Sequence, residues 1–138
     1  MLGSLGGRAA FVVHGHGGLD ELTTSGPNRV SHLRDGKVST YELNASDFGL
    51  RSASADDLRG GDPAENAAMF RALLSCQDES PRRDVVLLNS AAALATEHGD
   101  FQCGLIDARQ SLESGAALAK LDALTAYSQK IVQPVGVS

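Results

Sequence analysis

The stretch from Arg8 to Leu22, Arg-Ala-Ala-Phe-Val-Val-His-Gly-His-Gly-Gly-Leu-Asp-Glu-Leu, constrains the chain more than any other. Arg8 to His14 reads as a strand. Phe11, Val12 and Val13 are apolar in succession, the pattern of a strand covered on both faces. Gly15, Gly17 and Gly18 then permit a tight turn and close approach of a ligand. A strand that opens into such a turn delivers polar groups to the carboxyl end of a sheet, where open α/β sheets bind ligands. The groups delivered here are two adjacent carboxylates, Asp20 and Glu21. Side by side they repel unless a positive charge shares them. Mg²⁺ fits that role, since it is held through one or two carboxylates while it contacts substrate phosphates. An Asp-Glu pair after a loop also suits the first turn of a helix, at the positive end of its dipole. The pair alone supports both readings.

The remaining elements follow from local signals. Leu2 to Gly7 reads as a helix end or loop. Asp35-Gly36 stands between two β-capable runs, so Asn28 to Leu43 predicts a β-hairpin with a type I′ turn. Tyr41 and Leu43 alternate onto one face of its second arm, which suggests a covered side. Asn44 to Phe48 suits a short helical turn, with Asn44 or Ser46 accepting from free backbone N–H groups. Arg51 to Gly61 is polar and reads as a loop with a short strand or turn near 55–58. Asp62, Pro63 and Glu65 are the N-cap, first position and capping-box partner of a helix that places Ala67, Phe70, Leu73 and Leu74 on one face. Ser80 caps and Pro81 starts the next helix. From Asp84 to His98 it is apolar on nearly every side, as a buried helix is. Its polar exception, Asn89, is expected to be a buried amide hydrogen-bonded to backbone, and its alanines allow close neighbours. Cys103 to Leu112 predicts an amphipathic helix. Ala116 to Ile131 predicts the last one, with Leu118, Leu121 and Leu124 in a stripe, before a loose tail from Val132 to Ser138. The fold class is therefore α/β: a few strands, one hairpin among them, packed by several helices.

Several function classes find no support. Twelve basic residues against seventeen acidic ones give a net charge of −5, and no Lys/Arg run supplies the phosphate-neutralising term of a nucleic-acid binder. Trp is absent and aromatics are few, so stacking platforms are missing as well. No stretch is long and apolar enough to span a membrane, and Met1 to Val13 lacks the layout of a signal peptide. Cys76 and Cys103, far apart and outside any Cys-x-x-Cys, read as reduced structural thiols of a cytoplasmic protein. His14 and His16 stand near Asp20 and Glu21. Alternate residues of a strand point to opposite faces, however, and the spacing matches no closed ligand set. The Gly15–Gly18 run lacks the Lys-Ser/Thr ending of a P-loop, and no Gly-x-Ser-x-Gly is present. A length of 138 residues suits one domain, 1–138.

A set of short motifs in fixed order adds a resemblance. Val12-Val13-His14-Gly15 with Gly18-Leu19-Asp20-Glu21-Leu22 resembles the segment of anthranilate phosphoribosyltransferases that carries their acidic metal-binding pair. The likeness continues through Ser25-Gly26-Pro27, Asp35-Gly36-Lys37 and Asp47-Phe48-Gly49-Leu50. It resumes at Asp57-Leu58-Arg59-Gly60-Gly61-Asp62, Glu65-Asn66-Ala67, Leu87-Leu88-Asn89-Ser90-Ala91-Ala92-Ala93-Leu94 and Ser114-Gly115-Ala116. It is confined to the C-terminal part of that family's catalytic domain, a mixed sheet of the nucleoside phosphorylase/phosphoribosyltransferase type. The resemblance implies transfer of phosphoribosyl from phosphoribosyl pyrophosphate to anthranilate, a step of tryptophan biosynthesis. It also implies that Asp20 and Glu21 bind Mg²⁺ near the pyrophosphate. The family's glycine-rich phosphoribosyl-pyrophosphate loop, its anthranilate-binding arginine and most of its helical domain have no counterpart in these 138 residues, so no catalytic residue is carried over. The expectation is a chain with little activity alone: truncated, completed by a separate polypeptide, or a non-catalytic binding module prone to self-association. A pyrimidine-nucleoside phosphorylase is the alternative enzyme.

Overall fold

The computed structural model describes residues 1–132. Of the tail expected from Val132 to Ser138, Val132 instead ends the last helix and 133–138 lie outside the described residues. Three strands, β1 (Ala9–His14), β2 (Asn28–Arg34) and β3 (Lys37–Leu43), form an antiparallel sheet in the order β1-β2-β3. Four helices follow: α1 (Pro63–Leu74), α2 (Pro81–Ala95), α3 (Phe101–Glu113) and α4 (Ala116–Val132). The α/β expectation holds.

The hairpin forms where local chemistry demands it. Asp35 and Gly36 both take positive φ, 49° and 75°, as a type I′ turn needs. The register then runs from Arg34 opposite Lys37 to Asn28 opposite Leu43. β1 adds on the other side of β2, with Phe11 opposite His32 and Val13 opposite Val30. Alternation sends Phe11, Val13, Asn28, Val30, His32 and Leu43 to one face. That face meets the helices. Val30 and Leu43 join Leu22, Leu50, Leu73, Leu87, Leu88, Phe101 and Leu105 in one apolar cluster, with Phe11 and Val13 packed against it. The Phe101 ring lies tilted against Phe11 at 5.1 Å and Phe48 at 6.0 Å. α2 and α3 approach closely because small residues face each other: a Cβ on Gly104 would collide with the carbonyl oxygen of Ala91. The alanines of α2 serve as expected.

Five local expectations are corrected. β1 is not covered on both faces. It is an edge strand here, and Val12 is 56% exposed. In β3 only Leu43 is buried, whereas Tyr41 stays partly open. α2 is not buried all round. It buries Leu87, Leu88, Ala91, Ala92 and Ala95 along one side and leaves Leu94 49% exposed, because the sheet and α3 cover only part of its circumference. Similarly, α1 buries Leu73 and Leu74 but not Phe70, and Leu124 of α4 is exposed.

The helix starts differ in how they are capped. At α1 the capping box is complete: Asp62 Oδ1 accepts from the N–H groups of Ala64 and Glu65, and Glu65 Oε2 accepts from the Asp62 N–H at 2.8 Å. Ser80 does precede Pro81 at the start of α2, and Asn44 precedes a short 3-10 turn (Ala45–Phe48), but neither side chain makes a capping bond. The 51–61 connection contains a turn at 55–58 and no strand. It is held from within by Asp57 Oδ2, which accepts from the Ser54 hydroxyl and N–H at 2.7 Å each. From α2, Arg82 donates to the carbonyls of Asp57 and Arg59. Both cysteines are free, but they are exposed and not packed as structural thiols would be.

Two measurements check this account. Asp62→Ala is expected to lower stability by about 1 kcal/mol in urea unfolding, the usual cost of a lost N-cap. The Ser54 hydroxyl, and then its N–H, hold the Asp57 carboxyl below its ordinary value of 3.8. A carboxylate whose pKa is depressed by folding stabilises above its unfolded pKa and loses that contribution as pH falls through the folded value. Asp57→Asn should therefore flatten the stability–pH curve below about pH 4 and leave its neutral-to-basic limb unchanged in slope.

Candidate functional site

The site is built at the carboxyl end of β1. After His14 the chain enters Gly15 in extended conformation and makes a single 3-10 turn, His16–Gly18, in which Gly17 has φ 75°. From Leu19 to Pro27 it is irregular, with bends and no helix. Asp20 and Glu21 therefore do not begin a helix, and the alternative reading of the pair is excluded. Both acids are exposed. Among the described residues neither forms an ion pair.

The backbone that carries them is fixed on both sides. Gly15 N–H donates to the Leu19 carbonyl at 2.8 Å, which holds the peptide unit entering Asp20. The peptide unit leaving Glu21 is held twice. Its carbonyl oxygen lies against Gly15, where a Cβ would collide with it. Its N–H, that of Leu22, donates to Asn89 Oδ1 at 3.0 Å. Asn89 Nδ2 donates in return to the Leu22 carbonyl at 2.8 Å and to the Val85 carbonyl at 3.0 Å. The expectation of an amide bonded to backbone is met, with Asn89 half-buried.

A second asparagine grips the next residue. Asn28 Oδ1 accepts from Thr23 N–H at 2.8 Å, and its Nδ2 faces the carbonyls of Thr23, Gly26 and Leu43. Thr24 Oγ1 accepts from the Ala53 N–H at 2.9 Å. Thr23, Thr24 and Asn28 are all buried. Sequence reasoning did not identify these three as anchors. The signal was there in Thr-Thr-Ser-Gly-Pro-Asn, a polar string next to a strand: Thr23 and Asn28 pair five residues apart, and Leu43 and Ala53 are the more distant partners.

His14 and His16 are exposed and line a groove of about 450 Å³ with Gly15, Gly17, Arg29, Tyr41 and Glu42. Neither Asp20 nor Glu21 lines it. Among the described residues no three His, Cys, Asp or Glu side chains converge as a metal cluster, so the histidines and the acid pair are not brought together. A second cleft, of about 650 Å³, lies between the hairpin and the α2–α3 connection and includes His32, Arg34, Asp47, His98 and Asp100. His32 is buried with Nε2 at 3.0 Å from the Thr96 carbonyl.

Known proteins resemble this chain in sequence and fold. The family model described as "Glycosyl transferase family, a/b domain" matches residues 1–118. The chain belongs to this glycosyl transferase family. Among its relatives, the anthranilate phosphoribosyltransferase of Roseiflexus sp. (strain RS-1) is 54% identical over 128 residues, covering 91% of this chain and 38% of that protein. The crystal structure of the anthranilate phosphoribosyltransferase from Thermus thermophilus superposes with a TM-score of 0.80 at 37% identity, over 91% of this chain and 37% of that one. The Saccharomyces cerevisiae enzyme in complex with PRPP and Mg superposes with a TM-score of 0.75 at 32% identity, over 84% and 34%. The chain thus spans little more than a third of the length of the glycosyl transferases it matches. Among the described residues no helix is long and apolar enough to cross a membrane.

The tight contact at Gly15 is open to test. Its φ of −75° is ordinary, so Gly15→Ala carries no backbone strain, and the lost freedom of the unfolded chain would by itself stabilise by about 0.4–1 kcal/mol; a net loss therefore reports the clash. The added methyl meets fixed backbone, and a loss of about 1–3 kcal/mol is expected in urea unfolding. Unchanged stability would mean that the Glu21 carbonyl is free to move.

Proposed function

We propose that Asp20 and Glu21 are the Mg²⁺-binding pair of an anthranilate phosphoribosyltransferase, and that residues 1–138 form one unit of its catalytic domain. The observation that carries this reading is the pair itself: two adjacent, exposed carboxylates without a protein cation among the described residues, carried between fixed peptides at the end of a strand. The donor set fits Mg²⁺ better than a transition metal. Mg²⁺ keeps several waters and takes one or two carboxylates together with substrate phosphates, whereas zinc sites need three or four converging protein ligands. The relative described with PRPP and Mg supports the same reading.

In this reading the chain's own contribution is positional. Gly15 and Asn89 hold the backbone on either side of the acids, so both carboxylates are presented outward. The chemistry an ion held there supplies is neutralisation of the charge developing on a departing pyrophosphate, an effect of several kcal/mol in order of magnitude. The acceptor in the same reading is anthranilate, and the location is cytoplasmic, which two free cysteines fit.

The edge of β1 is open among the described residues, with Val12 exposed, and further chain, of this protein or of another, would complete the sheet there. Exposed strand edges pair readily with other chains.

The direct test is calorimetric titration of the chain with phosphoribosyl pyrophosphate in the presence and absence of Mg²⁺. Binding that requires Mg²⁺ and falls at least tenfold in Asp20→Asn/Glu21→Gln is the expected result. Binding of equal strength in the folded double variant would remove the pair from the site.

A further inference from the structure

The two acids sit on the one peptide of their turn that lies between two fixed neighbours. The Leu19 carbonyl, in the peptide unit before Asp20, is bonded to Gly15 N–H. The Leu22 N–H, in the peptide unit after Glu21, is bonded to Asn89 Oδ1. Between these two planes only the Asp20–Glu21 peptide remains. The first tie comes from the neighbouring strand end, so it moves with the loop. The second comes from α2, an element 67 residues away in sequence and seated in the core. Asn89 is thus a side chain whose hydrogen bonds tie the peptide after the acid pair to the body of the protein, beside the buried Leu22 side chain.

Its chemistry at that place is unusual for a helix interior. Asn is a poor helix former, and its neighbours Leu87, Leu88, Ala91 and Ala92 are all buried and apolar. Its amide presents one acceptor and one donor to the N–H and C=O of the same residue, Leu22, much as a neighbouring strand would. The Asn28 amide does the same for Thr23, but it is wholly buried and also holds Gly26 and Leu43. Asn28 therefore builds the loop into the sheet. Apart from a bond to Val85 in its own helix, the Asn89 amide is spent on the residue that follows the acids.

We propose that Asn89 is a positioning residue for Mg²⁺ binding: through the Leu22 peptide it sets where the Glu21 and Asp20 carboxylates stand. The inference rests on the reading of the pair as the metal site. An ion bridging two carboxylates binds most tightly when both are already placed, because ordering them is then not charged against binding.

The test is Mg²⁺ titration of the chain in the presence of phosphoribosyl pyrophosphate, read by calorimetry, with amide hydrogen exchange at Leu22 followed in parallel. Asn89→Leu keeps the volume and suits an apolar helix, but it can make neither bond. It should raise the Mg²⁺ midpoint about three- to tenfold and speed Leu22 exchange. Asn89→Asp keeps an acceptor for the Leu22 N–H but sets its second oxygen against the Leu22 and Val85 carbonyls, so it should free the Leu22 peptide and raise the midpoint as well. A midpoint that rises with Leu22 exchange while the core amides exchange at wild-type rates is the result that a purely structural role does not produce. If the leucine variant fails to fold, the aspartate variant decides alone: a midpoint raised about threefold or more with faster Leu22 exchange supports the proposal, and a wild-type midpoint with faster exchange overturns it. An unchanged midpoint in a folded leucine variant also overturns it. Asp20→Asn/Glu21→Gln separates the two levels of the argument. Pair-dependent binding insensitive to Asn89 overturns the positioning role alone, whereas binding insensitive to the pair overturns the metal site and the positioning role together.

Discussion

Leu22 can be buried only if its backbone finds partners. Its side chain is 1% exposed and belongs to the apolar cluster, so its peptide groups are drawn out of water with it. An unpaired buried amide group costs roughly 1–3 kcal/mol by mutational measures, comparable with what a buried leucine contributes. In an irregular loop no strand lies alongside to meet those groups. Asn89 meets both, and Asn28 meets those of Thr23. The consequence reaches the surface. Once Leu22 is seated, the preceding residues have nowhere to go but outward, and those residues are the two acids.

α2 is the element to which most of the irregular chain is referred. Asn89 holds the loop after β1. Asp84 accepts from the Arg51 N–H at 3.0 Å and from its guanidinium at 2.7 Å, and that bond raises the Arg51 pKa. Arg82 holds the 51–61 connection through two carbonyls. These contacts differ in kind from the surface pairs Arg8–Glu97 and Arg59–Asp56, whose partners are almost fully exposed and contribute little. Asp84 is buried, and removing it leaves the part-buried Arg51 N–H without its acceptor. α2 in turn is located by apolar contact: the Ala91 carbonyl lies against Gly104 of α3, and Leu88 sits in the core. Apolar packing sets the helix, and the helix's polar side chains set the loops.

What could be read from the sequence follows the range of the interaction concerned. The hairpin and the α1 capping box were legible because each is decided within a few residues, by Asp35-Gly36 and by Asp62 with Glu65. Family membership was legible because ordered short motifs survive where single residues do not. Burial was less so. The apolar run of β1 marks a strand meant to be covered, yet here it stands at an edge. The apolar surface of α2 predicted enclosure that only one side receives. Asn89 was rightly read as a backbone-bonded amide. That its partner is Leu22 could not be read, because nothing local connects residues so far apart. Thr24 is the same case, since its partner Ala53 lies 29 residues on, whereas the Thr23–Asn28 pair is local and its signal lies within the Thr-Thr-Ser-Gly-Pro-Asn string.

The same range argument separates the two ways His14, His16, Asp20 and Glu21 can be grouped. In sequence they crowd around the end of β1, although their spacing matches no closed ligand set. In space the strand end and the glycine turn carry His14 and His16 to the groove they share with Arg29, and the pinned Leu19 and Leu22 peptides carry the acids elsewhere. A closed tetrahedral site needs those donors within a few ångströms of one point, and among the described residues they do not converge. A hard cation that keeps its waters asks less: two oxygens from the protein and the remainder from solvent and substrate. Rigid backbone on both sides of exposed carboxylates supplies that much and no more, so the site as proposed is a shared, substrate-completed one and not a resident structural one.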